Sequence, residues 1–199
     1  MLKKKKTLIL FSLIYFFFHT NLLAIDPEIF VQSTVNRAST ILSQEISKEQ
    51  KMKELQNIAK DTVDIKGIGF YTLGSVRKSL NDSEKKTYIE LFEKYFLKSF
   101  SSRLAEYTNP EIDVFSKETL NSNYTIVNST LKGTKDRPEI KIDWRIYTKN
   151  PDKPLIRDLI IEGLSLARTQ KEEFNSVLQN NNGDIKVLFK TLKSFVIEN

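Results

Sequence analysis

Asp143, Asp158 and Glu162 come nearest to residues that could do acid/base chemistry. They alternate with apolar residues in strand-like segments, so two carboxyl groups on one sheet face are conceivable. A glycosidase-like acid/base pair needs two carboxyls at a defined separation in a polar cleft. Nothing in the spacing supplies that geometry, and solvent-facing strand positions or sheet-edge ion pairs fit the pattern as well. The remaining repertoire is thin. The chain has no cysteine, and its one histidine, His19, lies near the N-terminus in a segment with the features of an export signal. Beyond that segment, Ser-His and Cys-His nucleophiles are excluded, as are the common zinc sites with N or S ligands. Catalysis would rest on carboxylates, lysine or tyrosine alone. The expectation is therefore no catalytic residue, no metal and no cofactor, with a binding function ahead of an enzymatic one.

The second set of candidates is aromatic. From Asn81 to Tyr107, apolar residues recur at steps of three or four: Tyr88, Leu91, Phe92, Tyr95, then Phe96, Phe100, Leu104 and Tyr107. That spacing predicts one long helix with an apolar stripe. Asn81 and Glu84 stand in a capping-box arrangement at its start, and Asn109-Pro110 ends it. The stripe reads as ordinary core, or as one wall of a cavity that helix and sheet do not fill. In the second reading Phe92, Phe96, Phe100, Trp144 and Ile146 face an apolar space. Periodicity does not separate a packed core from a hollow one. The basic cluster Lys132, Lys135, Arg137 with Lys141 reads as a solvated hairpin tip, or as a face for lipid headgroups or an acidic partner. Asn123 and Asn128 each begin an Asn-x-Ser/Thr sequon within a strand pattern.

These residues must be positioned by a particular order of elements. Helical spacing covers 27–44 and 48–60, and 64–80 reads as a short helix whose glycines permit close backbone packing. After Pro110 the period changes to two. Strands are expected at 111–115, 124–131, 140–147 and 154–161, with turn residues between them. Helical spacing returns at 168–178 and 184–195, split by Asn180-Asn181-Asn182-Gly183. Helices, then strands, then helices describe an α+β fold in which helices cover one sheet face.

The first residues complete the frame. Lys3 to Lys6, an apolar run to Phe18 and small Ala24 before Asp26-Pro27 make the three-part pattern of a secretory signal peptide over residues 1–24. The run is shorter than the ~20 residues of a spanning helix. Removing Lys3–Lys6 lowers Lys+Arg from 31 to 27 against 25 acidic residues, and the net charge from +6 to +2. A nucleic-acid-binding face would survive such processing, so no nucleic-acid partner is expected. Residues 25–199 suit one domain, large enough to bury a core.

Three segments carry a resemblance to a known family. One is Gly69-Phe70-Tyr71-Thr72-Leu73-Gly74, leading through Asn81-Asp82-Ser83-Glu84 to Leu104-Ala105-Glu106-Tyr107. Another is Ile140-Lys141-Ile142-Asp143-Trp144-Arg145. The third and most specific is Arg157-Asp158-Leu159-Ile160-Ile161-Glu162-Gly163-Leu164-Ser165-Leu166, similar to a D-[VM]-x-x-E-G-[VI]-S-[LM] signature. Together they resemble the MlaC family, the toluene-tolerance type periplasmic phospholipid-binding proteins of the lipid-asymmetry pathway. One departure is Pro154-Leu155-Ile156, where family members often have a Trp. The resemblance implies an NTF2-like curved antiparallel sheet of about four strands packed against helices, with an additional helical subdomain. It implies a periplasmic monomer that shuttles phospholipid between an outer-membrane lipoprotein complex and an inner-membrane ABC transporter with an MCE-domain subunit. Combined with apolar spacing, it implies an apolar pocket for the acyl tails between helices and sheet, with the headgroup left in solvent. Phe70, Leu73, Phe92, Phe96 and Phe100 are expected from the helical side, and Trp144, Ile146 and Ile160 from the strands. Leu164, Leu166 and Phe174 are expected from the corner and the helix after it. Glu162 and Ser165 read as structural at that corner. The alternatives are an NTF2-like periplasmic enzyme using Asp143, Asp158 or Tyr124, and a non-catalytic structural adaptor.

Overall fold

The computed structural model describes residues 24–135 and 137–198, so the expected signal peptide falls, but for Ala24, outside the described residues. Each early helix begins on a side chain that satisfies an end-group N–H. Helix α1 (Pro27–Leu42) starts at Asp26, whose carboxylate accepts from the Glu28 N–H, with Pro27 pre-set in the first turn. Helix α2 (Lys48–Thr62) has a reciprocal capping box between Ser47 and Gln50. Helix α3 (Ile65–Thr72) is capped by Asp64. The expected single helix over 64–80 is divided. Gly74 adopts φ 56°, a conformation suited to glycine, and the chain continues as a 3-10 turn over Gly74–Lys78. Helix α4 (Asp82–Leu104) carries the predicted Asn81–Glu84 capping box.

Five antiparallel strands follow in sequential order: β1 (Ile112–Asn121), β2 (Tyr124–Leu131), β3 (Ile140–Tyr147), β4 (Leu155–Ile161) and the short β5 (Leu164–Ser165). Helices α5 (Leu166–Gln179) and α6 (Ile185–Glu198) close the chain. The fold is α+β, as expected, with four main strands and a two-residue fifth.

Register decides which side chains face inward. Val127 lies opposite Trp144, Thr125 opposite Ile146 and Ser129 opposite Ile142, and all six are buried. On β4 the pairing slips between Arg145 and Ile146, so that Ile156 opposes Ile146 while Leu159 opposes Trp144. A bulge of this kind adds one residue and reverses the alternation beyond it. The free side of β4 is occupied by Val63, bridged in parallel to Ile156, and by β5. The edge strand β1 pairs with β2 alone, and that pairing has register breaks at Val114/Ser116 and Thr119/Asn121.

Helix α1 lies on β1 and β2, while α5 lies on β4 and against α3. Helix α4 packs chiefly with α2, α3 and α6. Its aromatic stripe joins the inner sheet residues in one core.

Candidate functional site: the apolar interior between helix and sheet

The interior is built around Phe92, which is 1% exposed. Its ring centroid lies 5.8 Å from Tyr88, 6.1 Å from Phe96 and 6.3 Å from Phe174, the last edge-on. Phe96 in turn stacks on Phe100 at 5.7 Å. The turn-by-turn spacing of α4 thus produces a continuous aromatic wall. Gly69 lets α3 approach this wall closely, for a Cβ there would fall 2.8 Å from the Phe92 ring. Leu73 is fully buried beside it, and Phe70 is half-buried with Arg77 4.9 Å above its ring.

Polar atoms inside this region satisfy one another. Trp144 Nε1 donates to Ser129 Oγ at 2.8 Å, and that hydroxyl donates to the Ile142 carbonyl at 3.0 Å. Thr72 Oγ1 donates to the Gly69 carbonyl, which leaves the Tyr88 hydroxyl, 2.7 Å away, as the donor to Thr72. Burial pushes the Tyr88 phenol well above its ordinary pKa, so it stays neutral. Burial, followed by nearby Glu173, also raises Tyr95, whose hydroxyl donates to Gln170. Among the described residues no buried side-chain N or O lacks a partner. What this interior can offer a ligand is hydrocarbon.

Exposure rises in one direction along both walls. On the sheet, Ile146, Val127 and Ser129 are fully buried, whereas Leu131, Ile140 and Ile112, which oppose one another across three strands, are half-buried. On α4, Tyr88 and Phe92 are sealed, while Phe96, Phe100 and Leu104 are half-buried. Both walls therefore loosen toward the C-terminal end of α4 and the β2–β3 hairpin.

Of the residues expected from sequence, Leu73, Phe92, Trp144, Ile146 and Phe174 meet in one buried cluster, with Phe70, Phe96 and Phe100 packed against it. Ile160, Leu164 and Leu166 stand apart. Ile160 opposes Asp143 on the outer face, because the β4 bulge reverses the alternation. Glu162 and Gly163, at φ 49° and 82°, form a two-residue hairpin turn with both central residues left-handed. That turn carries Leu164 and Leu166 to the surface at 69% and 44% exposure. Sequence reading missed Val127, Leu131, Ile140 and Leu159. The period-two pattern of β2 and β3 held the signal for the first three, once register placed Val127 opposite Trp144.

The three candidate carboxylates are engaged separately. Asp143 accepts from Asn128 at 2.8 Å. Buried Asp158 accepts from the Ser165 hydroxyl and the Ala167 N–H, with Arg145 at 3.3 Å. Glu162 accepts from the Lys141 N–H. Ser165 itself caps α5. These contacts hold the corner between β4 and α5, and no polar cleft gathers the three carboxyls. Among the described residues no group of three or more Asp, Glu, His or Cys is placed to hold a metal, and no helix is long and apolar enough to cross a membrane.

Comparison with known proteins agrees with this geometry. No curated protein matches the sequence. Among solved structures, a phospholipid-binding protein from Ralstonia solanacearum, determined in complex with a phospholipid, superposes with a TM-score of 0.73. The two share 16% sequence identity, and the match covers 87% of this chain and 98% of the other. At that identity the likeness establishes the fold. The family model described as MlaC protein matches residues 32–194, from within α1 to within α6, and so takes in both walls of the apolar interior. The chain belongs to the MlaC family.

Proposed function

We propose that this protein is a phospholipid carrier, holding acyl tails between the aromatic face of α4 and the inner face of the sheet. The observation that carries the reading is an interior in which no buried side-chain N or O of the described residues lacks a partner, with both walls loosening toward one end. The phospholipid held by the structurally similar Ralstonia solanacearum protein supports it. A tail hidden from water gains about 0.8 kcal/mol per methylene, so two chains require an enclosed slot. Phe70, Leu73, Phe92, Phe96, Phe100, Trp144, Ile146 and Phe174 line the slot, with Val127, Leu131 and Ile140 opposite. Loading widens the space between α4 and the sheet. Helix α4 is suited to this movement because its main partners are other helices. A slot about as favourable to tails as the bilayer would release them with little net free energy.

The wider setting belongs to the same proposal. Residues 1–24 direct export and are removed, and residues 25–199 work as a monomer in the periplasm. Lipid passes between an outer-membrane lipoprotein complex and an inner-membrane ABC transporter with an MCE-domain subunit. The reaction is transfer without bond making or breaking, which requires no catalytic group or cofactor.

Mass spectrometry of gently purified protein, with a vesicle lipid-extraction assay, tests this reading. Phospholipid is expected to co-purify with the wild-type protein, and Phe96→Asp is expected to lower extraction at least ten-fold while far-UV circular dichroism stays unchanged. Absence of co-purified lipid together with an unaffected Phe96→Asp variant would overturn it.

A further inference from the structure

Where the two walls loosen, the β2–β3 hairpin places one cation in a fixed position. Thr134 and Arg137 exchange backbone hydrogen bonds across a tight turn, Thr134 N–H to the Arg137 carbonyl at 2.8 Å and the return bond at 3.4 Å. Gly133 packs against the strand that leaves the turn, for a Cβ there would lie 2.9 Å from the Glu139 nitrogen. The guanidinium of Arg137 lies 4.9 Å from the ring centroid of Tyr107, just beyond the end of α4. The turn fixes its backbone and the ring holds its guanidinium, a contact that arginine favours over lysine.

The neighbourhood distinguishes Arg137 from the other cations of the tip. Lys132 is neutralised by Glu111 at 3.2 Å and Asp113 at 3.3 Å. Arg137 enters no ion pair among the described residues, so no described carboxylate competes with an anion for its donors. Between the hairpin and the loop after α4 lies a cavity of about 150 Å³, lined by Tyr107, Arg137, the paired Glu111 and Lys132, and the half-buried apolar Leu131 and Ile140. Leu131 and Ile140 also end the apolar wall of the interior. Hydrocarbon thus gives way to a prepositioned guanidinium at the mouth, the order of polarity along a phospholipid from tail to phosphate.

We infer that Arg137, held by Tyr107, is a phosphate-binding site at the mouth of the tail slot and recognises the phosphodiester of the lipid headgroup. The inference rests on the carrier reading and adds selectivity to it. Tail burial alone accepts any lipid with the right chains, whereas a fork of N–H donors against a phosphate oxyanion adds charge-assisted bonds that a neutral glyceride lacks. A free phosphate ion presents the same chemistry, so the test must separate the two sources.

The experiment measures binding of short-chain phosphatidylglycerol, of diacylglycerol with the same chains, and of inorganic phosphate to the mature protein. Wild type is expected to prefer phosphatidylglycerol over diacylglycerol about ten-fold, the size of one charge-assisted bond. R137Q is expected to narrow that ratio toward one, R137K to recover part of it, and Y107L to narrow it less than R137Q. K135Q removes an equal charge from the same turn and is expected to keep the full ratio. An unchanged ratio in R137Q overturns the headgroup site while leaving tail binding intact. Equal narrowing in K135Q overturns it in favour of diffuse charge. Inorganic phosphate that binds through Arg137 without displacing either lipid assigns the site to free phosphate and overturns it too. Failure of wild type to bind either lipid overturns the carrier reading, and the headgroup site with it.

Discussion

Tyr88 brings a phenol into the interior and gives it one partner, the hydroxyl of Thr72. Removing that hydrogen bond in Tyr88→Phe is expected to cost about 1 kcal/mol at pH 8, because Thr72 keeps its bond to the Gly69 carbonyl. The pH dependence carries a sharper signature. Burial raises the folded-state pKa of Tyr88 above the ordinary 10.0. Its stabilising contribution is therefore complete below pH 10 and is lost as the pH climbs toward the folded-state value, because the unfolded chain ionises first. Urea unfolding at pH 8 and pH 11 measures this: the gap between wild type and Tyr88→Phe should shrink between the two, since the variant has no such proton to lose. A constant gap would place the Tyr88 ring in a wetter setting. Interior polar residues were hard to read from sequence for the same reason. Thr72, Ser101 and Ser129 are buried, yet their types suggest surface, and partners such as Gly69, Gln56 and Trp144 offset the cost of burial.

Pairs of elements meet at specific residues. Between α3 and α4, Gly69→Ala brings opposing effects. A methyl in a helix interior gains up to about 1 kcal/mol in propensity, while overpacking costs roughly 1–3 kcal/mol. The ring it meets, Phe92, is hemmed by Tyr88, Phe96 and Phe174. Overpacking should therefore win, with a net loss of about 1–2 kcal/mol in chemical denaturation. Phe92→Leu in the same chain should return part of it, a coupling that a double-mutant cycle detects. At the β4–α5 corner, Asp158→Ala leaves Arg145 and the first turn of α5 without their acceptor and should cost about 3 kcal/mol. Element boundaries were legible where both faces of a strand have distinct surroundings: β2 and β3 match their expected ranges. The edge strand β1 runs to Asn121, although only 111–115 was expected. Beyond Ser116 its side chains are exposed and carry no apolar alternation. The bulge in β4 was invisible for a related reason, since alternation in sequence does not record where a strand gains a residue.

For the whole molecule, a bound lipid and the fold stabilise each other. At a lipid concentration a hundred times its Kd, linkage adds about 2.7 kcal/mol, which for a chain of this size raises the thermal midpoint by roughly 5–10 °C. Delipidated and reloaded protein compared by differential scanning calorimetry would show that shift, and Phe96→Asp should abolish it. A shift equal in both proteins would move the binding region away from α4. The α+β order and the helical stripe of α4 were readable because they are local properties, 3.6 and 2 residues per period. The proposed mouth was not, because it lies where the end of one helix and the tip of a distant hairpin meet. The register breaks in β1 matter in a further way. An interior that opens to exchange lipid also presents greasy surface and sheet edge to neighbouring copies. An even, flat edge would template a second chain at that moment. The two breaks, with Lys117 and Glu118 between them, put the edge hydrogen-bonding groups out of step and set charge among them. An edge so interrupted is a poor template for polymerisation, which suits the opening that the proposed carrier function requires.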